Sequence, residues 1–126
     1  MKAHSPIERI SAITLAVRDM TRAVAFYEKL GFRLFYGGAD FGFSSLRAGE
    51  AIVNLAASSA YDQAWWGRIV FRVADVDAQY RALVTNKLKV QAPKNAHWGE
   101  RYFHVRDPDG HELSFAEVLA GSSADL

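Results

Sequence analysis

Two stretches of the chain alternate apolar with other residues, Ile10 to Val17 and Gly67 to Val73. Each runs into an aspartate and then into apolar residues at helical spacing. Period-two alternation marks a strand with one buried face, and the i, i+3, i+4, i+7 pattern marks one face of a helix. Val17-x-Asp19-Met20 returns as Val73-x-Asp75-Val76, so the pattern is an internal repeat.

The first helix is predicted to start at Asp19, whose carboxylate can accept hydrogen bonds from the free N–H groups of the first turn. Met20, Ala23, Val24, Tyr27 and Leu30 form its buried stripe, and Gly31 supplies a permissive stop. In the second copy Asp75 or Asp77 caps, and Val76, Tyr80, Leu83, Val84 and Leu88 form the stripe. Short strands are expected to follow each helix. In the first half these are residues 32–36, 42–47 and 51–56, and in the second half 89–92, 100–106 and 112–117. Asp107-Pro-Asp-Gly110 makes a turn, because proline presets φ and glycine takes the left-handed position. The chain therefore reads as α+β, two βαβββ modules over about 8–57 and 67–118, with a flexible tail over 119–126. One module cannot bury both a helix stripe and a sheet face by itself, so the two should pack together.

The length, 126 residues, suits one domain. The absence of cysteine excludes disulfides, thiolate metal sites and a cysteine nucleophile. A net charge of +1, with 15 scattered Lys and Arg, gives no nucleic-acid footprint. Met1–Glu8 has no apolar core of a signal peptide, and no apolar run approaches the ~20 residues of a membrane helix. The expectation is a soluble, cytoplasmic protein with neither nucleic acid nor membrane as partner.

Val17-Arg-Asp-Met, Phe26-Tyr27, Leu30-Gly31-Phe32, Val73-x-Asp75-Val76-Asp77, Trp98-Gly99 and Asp107-Pro-Asp-Gly-His-Glu-Leu113 together resemble the vicinal-oxygen-chelate superfamily. That superfamily comprises the glyoxalase, bleomycin-resistance and extradiol dioxygenase-like domains. The resemblance spans about Ile10 to Val118. It implies a curved, cup-shaped mixed sheet with the helices on its convex face, and a homodimer, sometimes domain-swapped, that completes the cups. It does not fix the function, because relatives include metal enzymes and metal-free drug binders.

In metal-dependent relatives four cup-facing strand positions supply the ligands. The resemblance carries these to Ala12, Asn54, Arg68 and Ser114. Alanine has no lone pair and arginine is an obligate cation, whereas a catalytic metal wants about three His or carboxylate ligands. No cofactor is therefore expected, with a divalent metal as the alternative. His4, His97, His104 and His111 match none of these positions. His4 falls in the N-terminal tail, His97 in a loop, and His111 reads as an exposed hairpin residue. His104 shares the non-core face of its strand with Tyr102 and Arg106.

By alternation the cup is lined by Ala12, Thr14 and Ala16, by Arg68, Val70 and Arg72, and by Glu112, Ser114 and Ala116. Arg68 stands where relatives place a histidine, so its guanidinium can bind a carboxylate, phosphate or enolate oxygen. It can equally pair with Glu112, and both can hold. Trp65, Trp66 and Trp98 fall at the rim, near Tyr36, Phe41, Phe43 and Tyr61, where rings serve a ligand or a subunit interface. The ligand-binding candidates are Arg68, Arg72, Asn54, Ser114, Glu112, Trp66, Trp98 and Tyr102.

Three functions are open. The first is a metal-free binder similar to the bleomycin-resistance proteins. The excess of Arg over Glu in the cup suits an apolar or anionic aromatic ligand better than a cationic glycopeptide. The second is a glyoxalase-type lyase or isomerase, or a dioxygenase. Without a metal it would rely on His104 or Glu112 as base and Arg68 as oxyanion stabiliser. The third is an interaction module with no ligand, against which the small cup residues speak.

Overall fold

The computed structural model describes residues 6, 8–60, 62 and 64–120, so His4 and Tyr61 lie outside it. The element order is β1 (Ile13–Val17), α1 (Met20–Leu30), β2 (Arg33–Tyr36), β3 (Phe43–Ala48) and β4 (Ala51–Ala57), then β5 (Arg68–Arg72), α2 (Val76–Thr85), β6 (Lys94–Asn95), β7 (Glu100–Arg106) and β8 (Glu112–Val118). Each βαβββ module folds into one four-stranded mixed sheet, ordered β1-β4-β3-β2 and β5-β8-β7-β6. The first and last strands of each module pair in parallel, with Ile13 opposite Val53 and Ile69 opposite Leu113.

The helices obey their local sequence. Asp19 and Asp75 each accept from the backbone N–H three residues on, Arg22 at 3.1 Å and Ala78 at 3.0 Å. This satisfies one of the donors that a helix start leaves unpaired. All five residues of the first stripe are buried. The second stripe is weaker. Val76 and Leu83 are buried and Tyr80 is partly so, but Val84 is exposed and Leu88 lies beyond the helix.

Both helices stop with the same pair of backbone bonds. Gly31 donates to Glu28 and Phe32 to Tyr27, while Lys87 donates to Val84 and Leu88 to Leu83. That closure requires a left-handed residue. Gly31 supplies it at φ 107° in the first module, and Lys87 takes it at φ 67° in the second.

The stripes and the inner sheet faces form one continuous core, which includes Leu15, Val17, Leu46, Val53 and Leu55 of the first module and Ile69, Phe103, Val105, Leu113 and Phe115 of the second. Phe32 meets Phe71 edge to face across the junction at 5.1 Å. Polar ties join the modules as well. Gln79 Nε2 donates to the Leu30 carbonyl and Asn86 Nδ2 to the Lys29 carbonyl. Asp109, fully buried, accepts from the Arg18 backbone N–H at 2.9 Å and from its Nε at 3.1 Å. The Asp-Pro-Asp-Gly turn is thus the point where the closing hairpin grips the first module.

Two expectations are corrected. Residues 89–92 form no strand, and the module's third strand is the two-residue β6, Lys94 and Asn95 opposite Tyr102 and Arg101. Residues 89–91 instead line a cavity together with residues 104–106 of β7. His111 is not exposed but buried at the module junction. The Trp66 indole N–H donates to its Nδ1 at 2.7 Å, and its Nε2 lies 2.7 Å from the Ala16 carbonyl. An indole nitrogen only donates and a carbonyl only accepts, so the imidazole proton resides on Nε2.

Candidate functional site

In each module the helix covers one sheet face and the other remains open. On the second sheet Arg68, His104 and Ser114 come together by register, because Arg68 pairs with Glu112 and His104 with Ser114. Alternation sends Tyr102, His104 and Arg106 to this face, since Phe103 and Val105 are in the core. A hollow of about 300 Å³ results. It is lined by Arg68, Val70, Trp98, Tyr102, His104 and Ser114, with Glu100 and Ala116 at its edges.

One wall is a ladder of rings. Trp98 stacks on Tyr102 at 5.7 Å and 27°, and Tyr102 leans on His104 at 5.0 Å. The Trp98 indole is turned by its N–H bond to Glu100. Lys94 lies over the Tyr102 ring at 5.6 Å, and Arg68 lies 5.8 Å from the Trp65 ring. Such a ladder presents flat, polarisable surface with cations at its margin.

Arg68, which lines the hollow, belongs to an ion triplet. Glu112 accepts from Arg68 Nε through one carboxylate oxygen and from Arg106 through the other, the latter at 3.2 Å. Burial pushes the Glu112 carboxyl upward, but the Arg68 hydrogen bond and charge outweigh this and hold it below the usual glutamate value. Glu112 is therefore a weak proton acceptor. Arg68 and Glu100 are the charged residues of the lining, and Lys94 lies beside it over Tyr102.

His104 is set to stay neutral. Its Nδ1 is enclosed without a hydrogen-bond partner. Burial, then the Arg68 charge, lower its pKa below the ordinary histidine value. A proton on Nδ1 would be an unsatisfied buried donor, so the hydrogen belongs on Nε2, where the ring can offer it to an acceptor.

The remaining candidates lie elsewhere. Asn54 is on the open face of the first sheet, where it accepts from Ser45 at 2.7 Å and donates to Thr14 at 3.2 Å. Trp66 lines a separate apolar groove beside β1 with Ile13, Ala16 and His111. Arg72 lines another hollow beside Gly31 and Gly49. Ala12 precedes β1 and is exposed. Lys94 and Glu100 were not singled out from sequence. Their signal was spacing, since Glu100 leads the strand that carries Tyr102 and Lys94 pairs directly with that tyrosine.

Of the four positions to which the resemblance carries metal ligands, Ala12 offers no donor atom in its side chain and the other three are engaged in hydrogen bonds. Asn54 is spent on Thr14 and Ser45, Arg68 on Glu112, and Ser114 donates weakly to the Phe103 carbonyl. Among the described residues, no group of three or more His, Cys, Asp or Glu could hold an ion. Nor is any described helix long and apolar enough to cross a membrane.

Comparison with known proteins agrees with this architecture. A bleomycin resistance protein of Klebsiella pneumoniae is 30% identical over 120 residues, covering 86% of this chain and 94% of that one. The crystal structure of a bleomycin-binding protein complexed with bleomycin superposes with a TM-score of 0.74 at 26% identity, over 88% of this chain and 98% of its own. A glyoxalase/bleomycin resistance protein/dioxygenase from Nocardioides shares the fold with a TM-score of 0.77 at 18% identity, over 98% and 92%. The family model described as the Glyoxalase/Bleomycin resistance protein/Dioxygenase superfamily matches residues 9–115. With nearly the whole chain matched, the protein belongs to the glyoxalase/bleomycin resistance protein/dioxygenase superfamily.

Proposed function

We propose that this protein binds a small apolar or anionic aromatic molecule in a cup that works without metal, and that two copies join to complete the cups. The observation that carries the reading is the ring ladder Trp98–Tyr102–His104 facing Arg68 across one hollow. The ladder takes a flat ring. Arg68 and the His104 Nε2–H offer donors to an acidic or carbonyl edge. The chemistry of Ala12, Asn54, Arg68 and Ser114 supports the metal-free part. Arg68 on the lining and Lys94 beside the ring ladder favour an anion over a cationic glycopeptide, so the ligand differs from that of the bleomycin-binding relative.

The dimer is supported by what one chain leaves uncovered. The hollow is lined by the second module alone. The first module leaves Phe35, Tyr36, Phe41 and Phe43 exposed, and such clustered rings suit an interface. A second copy laying its first sheet over the hollow would cover both.

Two measurements test the reading. Thermal stability is followed with Ni²⁺, Zn²⁺, Mn²⁺ and Fe²⁺, beside metal analysis of the purified protein and its sedimentation mass. Binding of 2-naphthoate and of bleomycin is followed by tryptophan fluorescence. The expected result is a metal-independent melting temperature, a dimer, and saturable quenching by 2-naphthoate in preference to bleomycin. Stoichiometric metal with a stabilising shift would overturn the metal-free cup, and a preference for bleomycin would overturn the ligand class.

A further inference from the structure

Beside the ring hollow lies a second, larger cavity that the function above does not use. It is a trough of about 570 Å³ between residues 89–91 and β7, lined among others by Lys89, Gln91, His104, Arg106 and Glu112. It exists because a strand is missing. The β6–β7 ladder pairs Lys94 with Tyr102 and goes no further, so residues 89–91 are not zipped onto β7 beyond that point. Space that a third strand would fill stays open.

His104 belongs to both cavities, and so joins them. The trough has a sign of its own. Lys89 is an exposed cation on one wall and Arg106 lies on the other. The Glu112 carboxylate between them already accepts from both Arg68 and Arg106. An incoming anion would therefore meet Lys89 and the outer side of Arg106 rather than an unpaired carboxylate.

We propose that the trough is a second compartment of the same site, holding the acidic tail of a ligand whose ring lies against Trp98 and Tyr102. This rests on the ring-binding reading above. The ligand class becomes narrower, a flat aromatic group joined through a short flexible chain to a carboxylate or phosphate. A rigid aromatic acid such as 2-naphthoate would fill only the first compartment.

The test compares 4-(1-naphthyl)butanoate with its neutral primary amide by calorimetry at low salt. The acid should bind about fivefold tighter, the size expected of a partly exposed ion pair. Lys89→Glu should abolish that preference. Gln91→Trp, which fills the trough without altering charge, should weaken both tailed compounds while 2-naphthoate binds as before. Equal affinity of acid and amide for the unaltered protein, or a preference that survives Lys89→Glu, would overturn the tail compartment alone. If neither compound nor 2-naphthoate binds, the ring-binding reading falls and the tail compartment falls with it.

Discussion

The Tyr27 hydroxyl donates to Asp107 Oδ2 at 2.7 Å, in the interior, across 80 residues of chain. The other Asp107 oxygen accepts the backbone N–H groups of Asp109 and His111 at 2.9 and 2.8 Å. Burial raises the pKa of Asp107 despite these bonds, and burial with the Asp107 charge raises that of Tyr27. A carboxyl raised in the folded state contributes stability that is present below its unfolded value, about 3.9, and lost as pH rises through the folded value. Tyr27→Phe leaves the carboxylate short of a donor and should cost about 1–3 kcal/mol in urea unfolding. The deficit should be larger at pH 7 than at pH 4, because the variant raises the carboxyl further. An equal deficit at both would mean that the hydroxyl contributes packing alone.

Lys87 occupies a backbone conformation that suits glycine, at the place where the first module has Gly31. For an L-residue the left-handed region costs about 1–2 kcal/mol, partly offset by the greater unfolded-state freedom of glycine. Lys87→Gly should therefore stabilise the protein by about 0.5–1 kcal/mol in chemical denaturation. A loss of stability would show that the lysine side chain contributes more than its backbone strain.

His104 binds its proton less readily folded than unfolded. Its contribution is fully present above the unfolded value of about 6.5 and is lost as pH falls toward the lower folded value. The unaltered protein should lose more stability between pH 7 and pH 5 than His104→Gln does, measured by thermal melts. Parallel profiles would place the imidazole in open solvent.

Arg68 and Arg106 each hold a different oxygen of Glu112. Arg68→Met should change stability by less than about 1 kcal/mol, since the pair is partly exposed and Arg106 remains. It should nevertheless weaken 2-naphthoate binding about tenfold, the loss of a charge-assisted hydrogen bond. Glu112→Gln should act oppositely, strengthening 2-naphthoate binding about threefold by freeing the guanidinium. If both variants bind as the parent does, the anion is held elsewhere.

Much of the fold was legible because local rules and the repeat agreed. Asp19, the stripe ending at Leu30, Gly31 and the turn before His111 are where period and capping place them. The second module was harder to read, since Lys87 replaces the glycine stop and Val84 mimics a core residue while exposed. The strand predicted at residues 89–92 was plausible in pattern, but pattern cannot say whether β7 has an open edge for it. At the site, alternation brought Arg68, His104, Ser114 and Tyr102 to one face. It could not show that Asn54 faces a different sheet's opening, because that depends on how the modules pack. His111 misled because a polar residue after a turn glycine is ordinarily solvated. Its burial follows from partners 45 and 95 positions away.

The ties at the module junction also set a schedule for synthesis. Arg18, Tyr27 and the Ala16 carbonyl leave the ribosome long before Asp109, Asp107 and His111, with separations of 91, 80 and 95 residues. Until the closing hairpin forms, the Tyr27 hydroxyl lacks its Asp107 acceptor and the Ala16 carbonyl its His111 partner. Long-range closures of this kind come late and slow folding. The closing hairpin is thus the step that completes the junction, and the contacts it makes are of the long-range kind that form late.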